Sequence, residues 1–175
     1  LLDHNELRRL PRNVFRGLTR LSRLRFSHNR ITSLPTDIFS SLTNLTYISL
    51  VHNHITHLTA SHLQNLTQLQ VLSLNSNPFG TLSPDMFSNS PSLQRVHLRA
   101  CGFSTAPPNV FQNMTKLRHL SLSDNQLTQL KLTTQLPSLA FLDLGHNPLQ
   151  EQPDITLMPA VEVLRLTHHR INTID

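Results

Sequence analysis

The chain has 175 residues, 38% of them hydrophobic and 14% charged, with one cysteine, four glycines and no tryptophan. That apolar share is enough for a packed core, while a single cysteine excludes an internal disulfide framework and no apolar run is long enough to span a membrane. The net charge of +5 is uneven: residues 1–30 hold eight arginines against Asp3 and Glu6, whereas residues 31–175 hold seven basic and eight acidic groups.

In chain order one phrase, L-x-x-L-x-L-x-x-N, returns as LSRLRFSHN (21–29), LTYISLVHN (45–53), LQVLSLNSN (69–77), LRHLSLSDN (117–125) and LAFLDLGHN (139–147). LQRVHLRAC (93–101) and VEVLRLTHH (161–169) carry it with the last letter changed, and the opening LLDHN supplies its tail. The closing letters advance by 24 residues five times and then by 22 twice. A fixed period of this length is the mark of a solenoid, in which no coil buries its apolar face alone and the core exists because neighbours stack. The expected architecture is a horseshoe of the α/β solenoid type. One curved parallel β-sheet lines its concave face, and its convex side is mostly irregular.

Each phrase predicts a short strand whose alternate residues point inward, such as Leu24 and Phe26, Ile48 and Leu50, or Leu72 and Leu74. About eight strands are expected, with centres on Arg25, Ser49, Ser73, His97, Ser121, Asp143 and Arg165. The closing Asn falls at the turn, where its amide can bond backbone groups that the turn leaves unpaired. Two residues later an apolar residue re-enters the core: Leu7, Ile31, Ile55, Phe79, Phe103, Leu127, Leu149 and Ile171. Ten residues after the Asn comes a large one, namely Phe15, Phe39, Leu63, Phe87 or Phe111, predicted to stack from coil to coil on the convex side. Leu10-Pro11 and Leu34-Pro35 mark the turn into that outer segment.

The pattern weakens toward the end. Repeats 117–138 and 139–160 lose two residues each and lose the outer Phe, with Gln135 in its place and Gln152 where a core Leu belongs. Repeat 93–116 puts Cys101 in the Asn slot, where a thiol acts as a small buried hydrophobe, and adds Pro107-Pro108.

The concave face is where recognition is expected. Its third letters are Arg23, Tyr47, Val71, Arg95, His119, Phe141 and Val163, and its fifth letters are Arg25, Ser49, Ser73, His97, Ser121, Asp143 and Arg165. A row holding Tyr47, Val71 and Phe141 beside the basic spot Arg95, His97, Arg99 and His119 is a candidate contact surface, since exposed aromatics tend to mark contacts. The competing reading is that these are good strand formers and nothing more. The second candidate is the N-terminal arginine group, Arg12, Arg16, Arg23 and Arg25 in particular, which would attract sulfated glycans, phosphates or acidic proteins. Its competing reading is a solvated outer face. No aromatics interleave with those arginines, which disfavours nucleic acid.

His4, His28, His52, His146 and His168 share the eighth letter and should form rows. Such a row could sense acidic pH or hold a metal. The plainer reading, preferred here, is a slot that accepts any small polar residue, as at Ser76 and Asp124. No metal, cofactor or catalytic residue is expected. Three sequons, at Asn44, Asn65 and Asn113, fall outside the strand cores, and the last two share one phase of the repeat.

The full pattern, seen almost letter for letter in LRFSHNRITSLPTDIFSSLTNL (24–45), resembles the typical 24-residue class of animal extracellular leucine-rich repeat (LRR) proteins. It is most similar to part of a Toll or Toll-like receptor ectodomain. The resemblance implies recognition of a protein or glycan ligand, with receptor dimerisation as a further partnership, and a place at the cell surface or in the endosomal lumen. Contact with a membrane would come through other parts of the parent chain. The alternatives are a secreted matrix or adhesion protein of proteoglycan or Slit type, and an intracellular scaffold. Secreted relatives close their solenoids with cysteine-rich caps, which this sequence lacks. The expectation is therefore one solenoid of about eight repeats, the first and last partial, drawn from the interior of a longer ectodomain.

Overall fold

The computed structural model describes residues 2–169 and 171. Among them the repeated Leu-x-Leu cores form seven strands: β1 (Arg23–Arg25), β2 (Tyr47–Ser49), β3 (Val71–Ser73), β4 (Arg95–His97), β5 (His119–Ser121), β6 (Phe141–Asp143) and β7 (Val163–Arg165). They make one parallel sheet in chain order. Register is uniform, so Arg23, Tyr47, Val71, Arg95, His119, Phe141 and Val163 stand opposite one another across the sheet. The horseshoe expected from the period is the fold.

Two details differ from expectation. Among the described residues there are seven strands where about eight were expected, and each centres one residue earlier, on Leu24, Ile48, Leu72, Val96, Leu120, Leu142 and Leu164. Leu1 lies outside the described residues, and the tail that follows it extends the ladder without a strand of its own. The N–H groups of Leu2 and His4 donate to the Arg25 and Ser27 carbonyls at 3.0 and 2.9 Å. Hydrogen bonds between coils continue past the strand ends, from the Phe26 and His28 N–H groups to the Ser49 and Val51 carbonyls at 2.9 and 2.8 Å, into the left-handed turn at the eighth letter.

Beneath the sheet, Leu24, Ile48, Leu72, Val96, Leu120 and Leu142 form the first row of one continuous core. Phe26, Leu50, Leu74, Leu98, Leu122 and Leu144 form the second. On the convex side the large residues stack in two pairs rather than one column. Phe15 lies on Phe39 with ring centres 6.4 Å apart, and Phe87 lies on Phe111 at 5.8 Å. Leu63, fully buried between the pairs, has no ring to join them. In the short repeats Leu136 and Met158 fill the outer core while Gln135 is exposed, so the outer wall is thinner there. The outer segments are irregular apart from two 3-10 turns, Ala60–Leu63 and Ile155–Leu157. No helix among the described residues is long and apolar enough to cross a membrane.

The asparagines tie coil to coil. Asn53 accepts from Ile31 N–H at 3.0 Å and donates to the carbonyls of Phe26 and Leu50 at 2.9 and 3.0 Å. Asn77 repeats this geometry one coil further, and Asn125 and Asn147 repeat it in the two coils after Cys101. Cys101 cannot: its sulfur reaches the Leu74 and Arg99 carbonyls but offers no amide oxygen. Phe79 N–H, which would have used that oxygen, donates instead to the Asn77 carbonyl at 2.9 Å. Burial pushes the Cys101 thiol up to about 12, so the sulfur is an inert packing atom.

Candidate concave recognition surface

Because strand residues alternate sides, the third and fifth letters of every coil leave the core together and form two rows. The fifth-letter row is shallow where it is serine: Ser49, Ser73 and Ser121 are buried beneath longer neighbours. The third-letter row stands above it, and the structure brings the predicted residues into one strip. Tyr47 and Val71, half-buried, make its apolar half on β2 and β3. Arg95, His97, His119 and Phe141 make its second half on β4 to β6. Arg99 lies just beyond β4 and is committed to Asp124, Nε to Oδ2 at 2.7 Å.

The second half is a column of π systems. His97 tilts against His119 with ring centres 5.0 Å apart, and His119 lies flat on Phe141 at 4.1 Å with 6° between the planes. The Arg165 guanidinium covers the other face of Phe141 at 5.0 Å, a cation–π contact. Sequence reasoning placed Arg165 in the fifth-letter row but left it out of the site. No spacing rule says which diagonal neighbours touch when one side chain is long.

Burial, then His119 and Arg95 nearby, pushes His97 down to about 4. His119 is lowered as well, by burial first and by Arg95, against the opposing pull of Asp143. Both rings are therefore neutral at pH 7. The consequence for stability has a definite sign. An unfolded chain binds a proton at His97 near its ordinary value of 6.5, whereas the folded chain resists until about 4. Stability is fully present above pH 6.5 and is lost as pH falls toward 4. The expected result is a melting temperature that drops across this window, with a shallower drop in His97→Gln, followed by circular dichroism.

The N-terminal arginines are not brought together. Arg23 and Arg25 lie on β1, whereas Arg12 and Arg16 flank Phe15 on the outer side of the core. Arg12 is held by Asp37, Arg25 by Asp3 and Arg30 by Glu6, at 2.7, 3.1 and 3.1 Å. Arg8, Arg9, Arg16, Arg20 and Arg23 make no ion pair among the described residues.

The eighth-letter histidines do form rows. His4 stacks on His28 at 4.3 Å, His28 on His52 at 4.6 Å, and His146 on His168 at 4.2 Å. The slot is not chosen for polarity alone. His4, His28, His52, Ser76, Ala100, Asp124, His146 and His168 all have φ between 52° and 60°. His and Asp are among the side chains that tolerate this left-handed region, and Ala100 occupies it at a cost of about 1 kcal/mol. Partial desolvation and the flanking His4 and His52 lower His28. His62 is separate: its Nδ1 faces the Thr59 N–H and its Nε2 the Leu34 carbonyl, a buried structural role. Among the described residues no group of three or more His, Cys, Asp or Glu is disposed to hold a metal ion.

All three sequon asparagines are exposed. Asn44 donates to the Thr19 carbonyl at 2.8 Å, while Asn65 and Asn113 sit in left-handed turns, φ 70° and 66°.

This geometry, a parallel strand ladder tied by buried asparagines, defines a repeat solenoid with one continuous sheet face. Models of the leucine-rich repeat match residues 1–55, 43–103 and 91–149, and the chain belongs to that family, a family of protein-interaction scaffolds. A comparison with curated proteins found no significant match. Among solved structures, an LRR protein of Leptospira interrogans superposes with a TM-score of 0.89 at 30% identity, over 98% of this chain and 43% of that one. The LRIM1/APL1C complex gives 0.83 at 26% identity, over 95% and 30%. TLR13, solved as its complex with ssRNA13, gives 0.74 at 25% identity, over 95% and 29%. The chain thus spans less than half the length of these relatives.

Proposed function

We propose that this chain is the ligand-recognition part of a receptor ectodomain of Toll-like type, binding a protein or glycan through its concave face and carrying out no chemistry. The observation that carries this reading is the strip from Tyr47 to Phe141. It joins apolar and cationic side chains in strict register over five strands, and its central rings lie against each other. The similarity to TLR13 and LRIM1/APL1C supports it. The Leptospira protein shares the repeat, so the receptor assignment rests on the site and not on the period.

The test is binding to a panel of extracellular proteins and sulfated glycans, measured for wild type, for Arg95→Ala with Phe141→Ala, and for the outer-face control Arg16→Ala. The concave pair should weaken a genuine partner by about 2 kcal/mol or more, the scale of interface hot spots. The control should change little. Partners that ignore the concave pair and lose affinity with salt and with Arg12, Arg16, Arg23 and Arg25 would assign recognition to the arginines instead.

Placement outside the cell has its own expected result. Expressed through the secretory pathway of animal cells, the chain should carry glycans on Asn65 and Asn113, both exposed and outside the strands. Mass spectrometry that found both unmodified would favour the intracellular scaffold.

A further inference from the structure

The ring column on β4 to β7 is unusual in that its faces are used up. His119 and Phe141 lie against each other, His97 closes on His119, and Arg165 covers the remaining face of Phe141. What such a column offers a ligand is its edges. The edge of an aromatic ring carries the positive end of its quadrupole, and the edge of a neutral imidazole carries an N–H donor and a lone pair. A nucleobase binds by stacking on a ring face, and no face of the inner rings is free. Oxygen acceptors suit the edges.

The charges beside the column point the same way. Arg95 and Arg165 are exposed, and neither forms an ion pair among the described residues. Arg99 is neutralised by Asp124. Asp143 is the one carboxylate in the two rows between β4 and β7, and it is half-buried and accepts the Gly145 N–H at 3.0 Å. The strip therefore has two available cations, one at each end of an acceptor-seeking column, on strands β4 and β7.

We propose that this part of the concave face binds an extended acidic segment of a partner protein, with two carboxylates about four residues apart seated on Arg95 and Arg165. The spacing follows from the sheet. Three strand-to-strand steps of about 4.8 Å separate β4 from β7 by about 14 Å, and an extended peptide advances about 3.3 Å per residue. The backbone between the two acids lies along the ring edges, its carbonyls facing the His119 and His97 N–H groups. The inference rests on the concave face being the recognition surface and adds to it the class of partner and the spacing of its charges.

The experiment uses the whole chain and fluorescein-labelled nine-residue peptides built from Ser, Thr and Val. Each carries two glutamates two, four or six positions apart, or glutamines in their place. Fluorescence anisotropy should show the four-position peptide binding at least about fivefold more tightly than the other spacings and tenfold more tightly than its glutamine form. Arg95→Gln and Arg165→Gln should each cost most of that gain, whereas Arg16→Gln should cost none. Circular dichroism melting confirms that the variants fold, which their exposure favours. Binding that ignores spacing, or that survives both arginine variants, overturns the proposal. So does tighter binding by oligothymidylate or by a sulfated oligosaccharide of equal charge that depends on the same two arginines. If the peptides fail while Arg95→Ala with Phe141→Ala still abolishes capture of a panel protein, the acidic segment is wrong and the concave surface stands. If that pair also leaves capture intact, both fall.

Discussion

Phe87→Ala should lower the unfolding free energy by about 3–5 kcal/mol. The ring is 2% exposed and lies 5.8 Å from Phe111, on the convex side of repeat 69–92. The loss would be larger than for a terminal phenylalanine, because coils on both sides of this one must stack through it. Leu63 on one side is already smaller than a ring and leaves little to collapse into the space. Urea denaturation should show an earlier midpoint, and the slope should fall if the solenoid splits into two unfolding units. An unchanged midpoint would mean that the outer phenylalanine is not part of a common core.

The second large effect is expected at the asparagine ladder. Asn77→Ala should cost about 1–3 kcal/mol, although no large apolar group is removed. Its Oδ1 is the acceptor of the buried Ile55 N–H, and its Nδ2 donates to Leu50 and Leu74, so one amide joins two coils at three points. The carbonyls have other partners, Asn53 for Leu50 and Cys101 for Leu74. The N–H of Ile55 has none, and its desolvation sets the cost. The chain shows its own remedy at Cys101, where Phe79 N–H turns to the Asn77 carbonyl. Equal melting of wild type and Asn77→Ala would show that the same detour is open at Ile55.

The fold was legible because each coil repeats three chemically different demands at fixed offsets: alternating leucines, a turn amide, and a large outer residue. Strand limits were less so. The strands end at the fifth letter although hydrogen bonds between coils run on into the left-handed turn at the eighth, and a histidine, serine or aspartate there reads in sequence as a polar surface choice. The shared left-handed turn was missed for that reason, although five histidines and an aspartate in one slot were its signal. The candidate site was legible as two rows, since register makes rows inevitable once the period is known. The column was not. Whether His119 lies on Phe141, and whether Arg165 folds over it, depends on side-chain conformations that no period encodes. The arginine group shows the converse: eight arginines close in sequence are spread by one coil over opposite sides of the core.

The most direct test of the account is hydroxyl-radical footprinting of the whole chain, alone and with the four-position glutamate peptide or any protein retained by the panel. Protection should appear at Phe141, His119 and His97, extend to Tyr47 for a larger partner, and leave Phe15 and the turn at Asn113 unchanged. Protection confined to the outer segments, with Phe141 and His119 oxidised as fast as in the free chain, would contradict it.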